Sequence, residues 1–465
     1  MNQMKKYIYV LVGSTLLTAC KVGENYKQTE VELPSQYSVT EVEDKVNEMN
    51  QLSWKEFFNH EELSQMIEVA LQQNTDLQLA VKNLEQMELL YKQSKLTLLP
   101  ELTLNAAASR MESSKNSQVG LSSAKRTNDD FNAHLGLNWE LDIWGKIRRQ
   151  KEASLASYLQ QKEVKRAISN RIVAEVANTY INILMLDEQL DIAKQSVILR
   201  ENTYLMTKKM FEVGNETILS VQQSEAQWLE ARELLPMIEQ EVALQESALN
   251  VLLNDYPKVI NRTAKLNDLV FKTDLSTGVP ANFLSSRPDI QVAEYGVIIA
   301  NAKMGVAKGE MYPSLTISAQ GGLNSIEASD WMKTPASLFG TLAGNIIQPI
   351  FNQKKLRTAY EIAKVEREKA VIDFRSTVII GFTEVYNALV KIDKIQEKES
   401  LMNSRVAILN TSLDNTKFMF EMDKASYLEV INAQSLALQG NLNYIELKRD
   451  YLASLVELYR SLGGN

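Results

Sequence analysis

Two kinds of period alternate along this chain. Residues 60 to 98 space their apolar side chains as one face of a helix does. At ELTLNAAASR the period drops to two: Leu102, Leu104, Ala106 and Ala108 fall on one side, Thr103, Asn105, Ala107 and Ser109 on the other. That is the pattern of a half-buried strand. A polar stretch without period follows. FNAHLGLNW then alternates again, setting Phe131, Ala133, Leu135, Leu137 and Trp139 against Asn132, His134, Gly136 and Asn138. Residues 144 to 211 read as one helix, striped by Ile168, Ile172, Val176, Tyr180, Ile183, Leu186, Leu190, Ala193 and Val197. At about 1.5 Å per residue it would reach on the order of 100 Å, more than a globule needs and typical of a coiled coil or helical repeat. The run breaks at Val213, Gly214 and Asn215, and a return helix is expected over 218 to 253, with Pro236 expected to kink or perturb it.

After residues 254 to 286, the only linker-like stretch, the same programme begins again. A helix is expected from 288 to about 310, a strand in SLTISAQGG, a polar loop, and a strand in LFGTLAGNII. A long helix then runs from about 352 to 420, breaks at Met422, Asp423 and Lys424, and returns from about 426 to 462. An offset of 209 positions carries Arg148 onto Arg357, Glu175 onto Glu384, Asn178 onto Asn387 and Phe211 onto Phe420. Earlier in the copy the offset is 213, as from Asp76 to Asp289. A shared order of helix, strand pair, long helix and break is the mark of a tandem duplication. The expected organisation is a signal peptide (1–19), a lipidated N-terminal segment (20–59), a first copy (60–253), a linker (254–286) and a second copy (287–465).

The alternating segments have about the length a tilted strand needs to cross a bilayer, roughly 9 to 11 residues. Pro100 and Pro313 stand just before the first strand of each pair, where a missing N–H is tolerated. Helices would attach to one end of the strand pairs and polar loops to the other, so the helices share one side of the membrane. Four strands cannot close a barrel. Open edges in lipid leave N–H and C=O groups unpaired, so other copies of the chain must complete the sheet. Trp139, Trp144 and Phe351 near the strand ends suit an interfacial aromatic belt. The competing reading of the alternation is a pair of ordinary half-exposed hairpins on a soluble lipoprotein.

The N-terminus bears on the compartment. Lys5 and Lys6 precede a short apolar stretch that closes on Leu17, Thr18, Ala19 and Cys20. This resembles a bacterial lipobox, in which Cys20 would carry the lipid and become the mature N-terminus; the alternative is an ordinary secretory signal with a chance cysteine. Lys21 after that cysteine points, by resemblance to the sorting rule, to the outer membrane. Cys20 is the only cysteine, so no disulfide forms within the chain. No later apolar run approaches the roughly 18 residues of a spanning helix.

A net charge of −8 and the absence of a basic block argue against a nucleic-acid partner. His60 and His134 are far apart and lack ligand spacing, so no metal site is expected. Neither a P-loop nor GxGxxG occurs, and no motif sets a histidine beside a nucleophile, so neither a cofactor nor an enzyme activity is expected. The 16 Met are scattered over the helices and read as packing residues.

The stretches LTAC, VGENY, WKEFFNHEEL, WELDIWGKIR, FLSSRPDI and QPIFNQKKLR together resemble the outer membrane efflux lipoproteins of the TolC/OprM (NodT) outer membrane factor family, over essentially the whole mature chain. It departs from that pattern where the first copy has Asn74, Thr75, Asp76 against Arg287, Pro288, Asp289, and where Asp423 stands for Gly214. The resemblance implies a mainly α protein with a transmembrane β part. A homotrimer would form a 12-stranded outer-membrane barrel continued by a 12-helix periplasmic α-barrel. It implies a passive exit duct for small molecules, loaded through a periplasmic membrane-fusion adaptor by an inner-membrane transporter of the resistance-nodulation-division type. Each copy is then half of one subunit's share of a near-symmetric cylinder. The breaks at 213–215 and 422–424 would be periplasmic tips that meet the adaptor. Glu429 and Asn432 would be gate candidates, with a solvated helix charge as the competing role for Glu429. The alternatives are a duct for type I protein secretion, a non-conducting coiled-coil lipoprotein and, least supported, a surface-anchored hydrolase.

Overall fold

The computed structural model describes residues 22, 24–27, 53–122, 126–272 and 286–464. The proposed signal peptide and Cys20 lie outside these. Helix α1 (Trp54–Phe58) precedes α2 (Glu61–Gln73) and α3 (Thr75–Leu96). Strand β1 (Glu101–Glu112), the short α4 (Gln118–Ser122) and β2 (Thr127–Leu141) lead to α5 (Lys146–Glu212) and α6 (Ile218–Leu252). The second copy holds α7 (Pro288–Gly309), β3 (Ser314–Ser325), β4 (Leu338–Ile347), α8 (Lys355–Glu421) and α9 (Tyr427–Ser461). Both long helices have 67 residues and both return helices 35. Among the described residues no helix is long and apolar enough to cross a membrane.

Several elements differ from the expectation. The helix expected over 60 to 98 is two, parted at Asn74, whose side chain accepts from the N–H groups of Asp76 and Leu77 and so starts a new helix. The N-terminal segment 20–59, for which no element was expected, contains α1, held by a capping box between Ser53 and Glu56. Strand β2 is longer than FNAHLGLNW at both ends. Helix α6, by contrast, holds Pro236 inside it as the expected return helix does. The stretch 254–272 also does more than link, because Ile260, Leu266, Leu269 and Phe271 are buried.

Contacts divide the chain into two units. One holds the sheet, with residues 85–160 and 293–374. Its strands form an antiparallel meander in the order β1-β2-β3-β4, so β1 and β4 are edges. The two hairpins, one from each copy, join where β2 pairs with β3, with Trp139 opposite Ile317 and Leu135 opposite Gly321. Residues 22 and 24–27 belong to this unit: Val22 N–H bonds Trp144 O at 3.3 Å and Tyr26 Oη–H bonds Glu294 Oε1 at 3.1 Å.

The second unit holds residues 53–84, 161–272, 286–292 and 375–464 of the described chain. Its core gathers Ile172, Val176, Tyr180, Ile183 and Leu186 of the predicted stripe, all buried. Phe57 stacks on Tyr459 at 4.5 Å between ring centres, and Phe58 meets Phe271 edge-on at 5.2 Å. This aromatic cluster ties α1 and residue 271 to α9, burying rings that each contribute a large apolar area.

Candidate functional site

The pleat and the register sort the sheet into two faces. Leu102, Leu104, Ala106, Leu135, Leu137, Trp139, Leu315, Ile317, Leu342 and Ile346 share one face through their cross-strand pairs. The other carries Thr103, Asn105, Asn132, His134, Asn138, Thr316, Ser318, Gln320, Asn324, Thr341 and Asn345, with Ala107, Phe339, Ala343 and Ile347 as apolar exceptions. Leu104 and Leu342 are 75% and 78% exposed, so among the described residues nothing covers the apolar face at the two outer strands. On the polar face His134 Nδ1 lies 2.6 Å from Asn132 Oδ1, and its ring meets Phe339 edge-on. His60 sits in the other unit, where Nδ1 accepts the Leu63 N–H and caps α2. No cluster suited to a metal ion occurs among the described residues.

At the strand ends, Trp139 Nε1 donates to Leu98 O at 2.9 Å and Trp144 Nε1 to Pro313 O at 2.7 Å. Trp144 also stacks on Tyr312 at 4.9 Å. Phe351 is 87% exposed.

Two joints in the second unit show why the copies differ at their starts. Asn74 Nδ2 donates to Leu252 O, the last residue of α6, at 3.0 Å while its Oδ1 caps α3. Arg287 donates through Nη1 to Ser461 O, the last residue of α9, at 2.7 Å and holds Asp289 and Glu384 through Nη2 at 2.6 and 2.7 Å. Each side chain fastens the end of a return helix to the start of another, satisfying a terminal carbonyl that no intrahelical donor reaches. The Asn-Thr-Asp and Arg-Pro-Asp starts are two chemical solutions to one joint. Burial of Arg287 opposes its charge, but hydrogen bonds and charge from Asp289 and Glu384 outweigh that and raise its pKa. Burial likewise opposes the Asp289 carboxylate, and Arg287 overcomes it, so the Asp289 pKa is lowered.

The breaks expected as tips are matched turns. Gly214 has φ +87° and Asp423 φ +56°, both left-handed. Gly214 N–H bonds Phe211 O and Asn215 N–H bonds Met210 O; Asp423 to Phe420 and Lys424 to Met419 repeat the pair. This is the Schellman ending, built once with glycine and once with aspartate. Val213 and Met422 are 72% and 55% exposed. Thr217 then caps α6 and Ser426 caps α9.

Glu429 closes the Ser426 capping box: its Oε2 accepts from Ser426 N–H at 2.7 Å and from its hydroxyl at 2.9 Å. Those bonds hold the exposed carboxylate below its usual pKa. Asn432 is exposed one turn further on. Helices α6 and α9 touch near their starts, where the Tyr427 hydroxyl donates to Gln223 Oε1. Sequence reasoning missed Arg200, which is 5% exposed and joins three helices. Its Nη1 reaches Gln227 O and Glu230, and its Nη2 reaches Ser435 Oγ at 3.2 Å. The signal available was that offset 209 replaces it with Leu409, an exchange of charge for hydrocarbon at one helical position.

A meander of membrane-spanning length, apolar on one face and polar on the other and continued by paired long helices, defines an outer membrane channel subunit. The model of the outer membrane efflux protein family matches residues 66–255 and 279–464, and the chain belongs to that family. Over 450 residues it is 24% identical to the cation efflux system protein CusC of Escherichia coli K12, covering 96% of this chain and 97% of that one. It is 27% identical over 415 residues to the pyoverdine export outer membrane protein OpmQ of Pseudomonas putida KT2440, covering 88% and 87%. Among solved structures, one of CusC aligns with a TM-score of 0.86 at 24% identity, covering 96% of this chain and all of that one. The open state of the Neisseria gonorrhoeae MtrE channel gives 0.84 at 24%, covering 96% and 98%. The fold is therefore that of the TolC/OprM-type channels, and the protein is an outer membrane efflux component.

Proposed function

We propose that the chain is the outer-membrane exit duct of a tripartite efflux pump, conducting small molecules passively as a homotrimer. One observation carries this: a four-stranded sheet with a polar face, an apolar face exposed at its outer strands, and two edges unpaired among the described residues. In lipid each unpaired backbone group costs several kcal/mol, which copies of the same sheet remove by closing into a barrel. The polar faces then line the lumen. Cys20 carries the lipid anchor; Val22, two residues on, is bonded to Trp144 at the end of the strands, which suits a lipid held at the membrane boundary. Trp139, Trp144 and Phe351 lie in that boundary.

The turns at 213–215 and 422–424 present the exposed groups that dock the periplasmic adaptor, which an inner-membrane transporter of the resistance-nodulation-division class loads. Glu429 and Asn432 narrow the tip, Glu429 by bringing one carboxylate per copy to it. No catalytic step is part of this role. Relatives are named for cations, pyoverdine and toluene, in keeping with a duct that takes its selectivity from the transporter behind it.

The test is single-channel conductance of the purified lipidated protein in a planar bilayer, beside Glu429→Ala and Asn432→Ala. Small cation-selective openings that widen in the variants are expected. Silence from inserted protein, persisting after the 422–424 turn is deleted, would overturn the duct.

A further inference from the structure

The duplication marks one place where the two copies part in chemistry. Around a groove shared with α2 and α3, helix α5 sets Lys162, Lys165, Ser169 and Asn170. The offset of 209 carries these onto Val371, Phe374, Val378 and Ile379 of α8. Phe374 and Val378 are 6% and 3% exposed, so copy two fills the same positions with packed hydrocarbon. Two lysines and two small polar residues are therefore not what the repeat requires there.

The groove has a volume of ≈ 600 Å³ and mostly apolar walls: Trp54 of α1, Leu71 of α2, Leu77 and Val81 of α3, and Val173 of α5. It closes at the end of the chain, where Asn170 Nδ2 donates to Gly464 O at 2.9 Å. An apolar lining with a few polar groups, at this size, suits a small organic molecule. Of the cations on its rim, Arg166 is already committed, through Nη1 to Glu163 at 3.3 Å and through Nη2 to Ser286 O at 2.7 Å. Lys162 and Lys165 have no hydrogen bond or ion pair among the described residues, and Lys165 is half-buried. An ammonium beside hydrocarbon loses hydration with no anion to offset the loss. The half-buried Trp54 indole N–H also has no acceptor among the described residues.

We infer that this groove binds a small amphipathic anion, with its carboxylate, sulfonate or phosphate on Lys162 and Lys165 and its apolar body against Trp54, Leu77 and Val81. The site is independent of the duct reading. Its occupant touches α1, both helices that meet at Asn74, α5 and the end of the chain. Asn74 fastens the end of α6 to the start of α3, so a bound molecule braces that joint and raises the stability of the fold. The chain has an acidic stretch of its own nearby in sequence, Glu41, Glu43 and Asp44. That stretch matches the lysines but not the apolar walls, which favour a compact ligand with one charged end.

The experiment is isothermal titration calorimetry of the full-length protein in a non-ionic detergent, with naphthalene-2-carboxylate as the probe. One site per chain is expected, with affinity about tenfold lower when Lys162→Gln and Lys165→Gln are combined, as the loss of a charged hydrogen-bond partner implies. Naphthalene-2-carboxamide should bind the unaltered protein about tenfold more weakly too, and acetate should give no heat. The probe should raise the thermal midpoint of the unaltered protein and leave that of the double variant where it is. Equal affinity in the double variant would place the heat in the micelle or on another surface and overturn the site. Acetate binding as tightly as the naphthoate would reduce the site to a bare anion contact and overturn the amphipathic ligand. Binding that emerges only when Glu41→Gln, Glu43→Gln and Asp44→Asn are combined would give the groove to the chain's own acids. No heat in either background would overturn the proposal outright.

Discussion

At the scale of single residues, the two tips show how far one turn can be written in different letters. Gly214 accepts its left-handed backbone without cost, since a Cβ there would meet nothing but still suffer the positive φ. Asp423 holds the same conformation with a side chain, for which the left-handed region costs L-residues about 1–2 kcal/mol, less for aspartate than for most. Asp423→Gly should therefore stabilise the α8–α9 hairpin by up to about 1 kcal/mol. Gly214→Ala should cost a similar amount at its sister turn. Thermal unfolding followed by circular dichroism, at matched protein concentration, reads both. No change in either direction would mean that the tips melt before the body of the protein. Both breaks were legible in the sequence, at 213–215 and 422–424, and the offset of 209 sets Asp423 on Gly214.

At the scale of elements, the joints set buried charge against helix ends. Arg287 is 3% exposed and faces two carboxylates, so Arg287→Met strands Asp289 and Glu384 near a buried face and should cost about 3 kcal/mol. The joint also has a pH signature. The Asp289 pKa is depressed in the folded protein, so its contribution is fully present above the ordinary carboxylate pKa and is lost as pH falls through the folded value. Asp289→Asn should flatten the acid limb of the stability profile while changing its neutral plateau in the destabilising direction. An unchanged acid limb would assign acid lability to other carboxylates.

The long elements were legible because their periods are long and unbroken, and β4 was read to the residue. The split at Asn74 was not, because the apolar spacing continues across it and only the side chain's own hydrogen bonds part the two helices. The buried state of Arg200 was hidden for a related reason: a single cation in a helical pattern looks the same on a solvated face as between three helices. Of the candidate sites, the tip turns were visible as punctuation. The capping role of Glu429 was written in Ser426 and Glu429, a spacing that serves a helix start whether or not the same carboxylate also faces a lumen.

At the scale of the whole molecule, duplication accounts for the architecture. Each copy brings a hairpin whose outer strands need neighbours; the chain satisfies one such pair internally, between β2 and β3, and leaves β1 and β4 open. What the sequence alone left out was the register of that internal seam, since either strand could slide by two residues and keep its faces. Packing settles it: a Cβ on Gly322 would lie 2.1 Å from Ala133 O, so only glycine fits opposite His134.

In the proposed homotrimer those two open edges make each copy the partner of the next, with a genetic consequence. In the proposed ring a defective subunit spoils a seam on each side, and one gene supplies both sides of every seam. Arg375, exposed on α8 and without a hydrogen bond or ion pair among the described residues, is open to a neighbouring copy in such a ring, so Arg375→Glu, which leaves the chain free to fold, should act dominantly when expressed beside the unaltered protein. With equal amounts of each, only about one trimer in eight would be free of the variant. Export measured in such cells should fall well below half. A decline no greater than the loss of dosage would show that Arg375 does not lie at the seam. An allele of this kind would be selected against even in a cell that still carries a good copy.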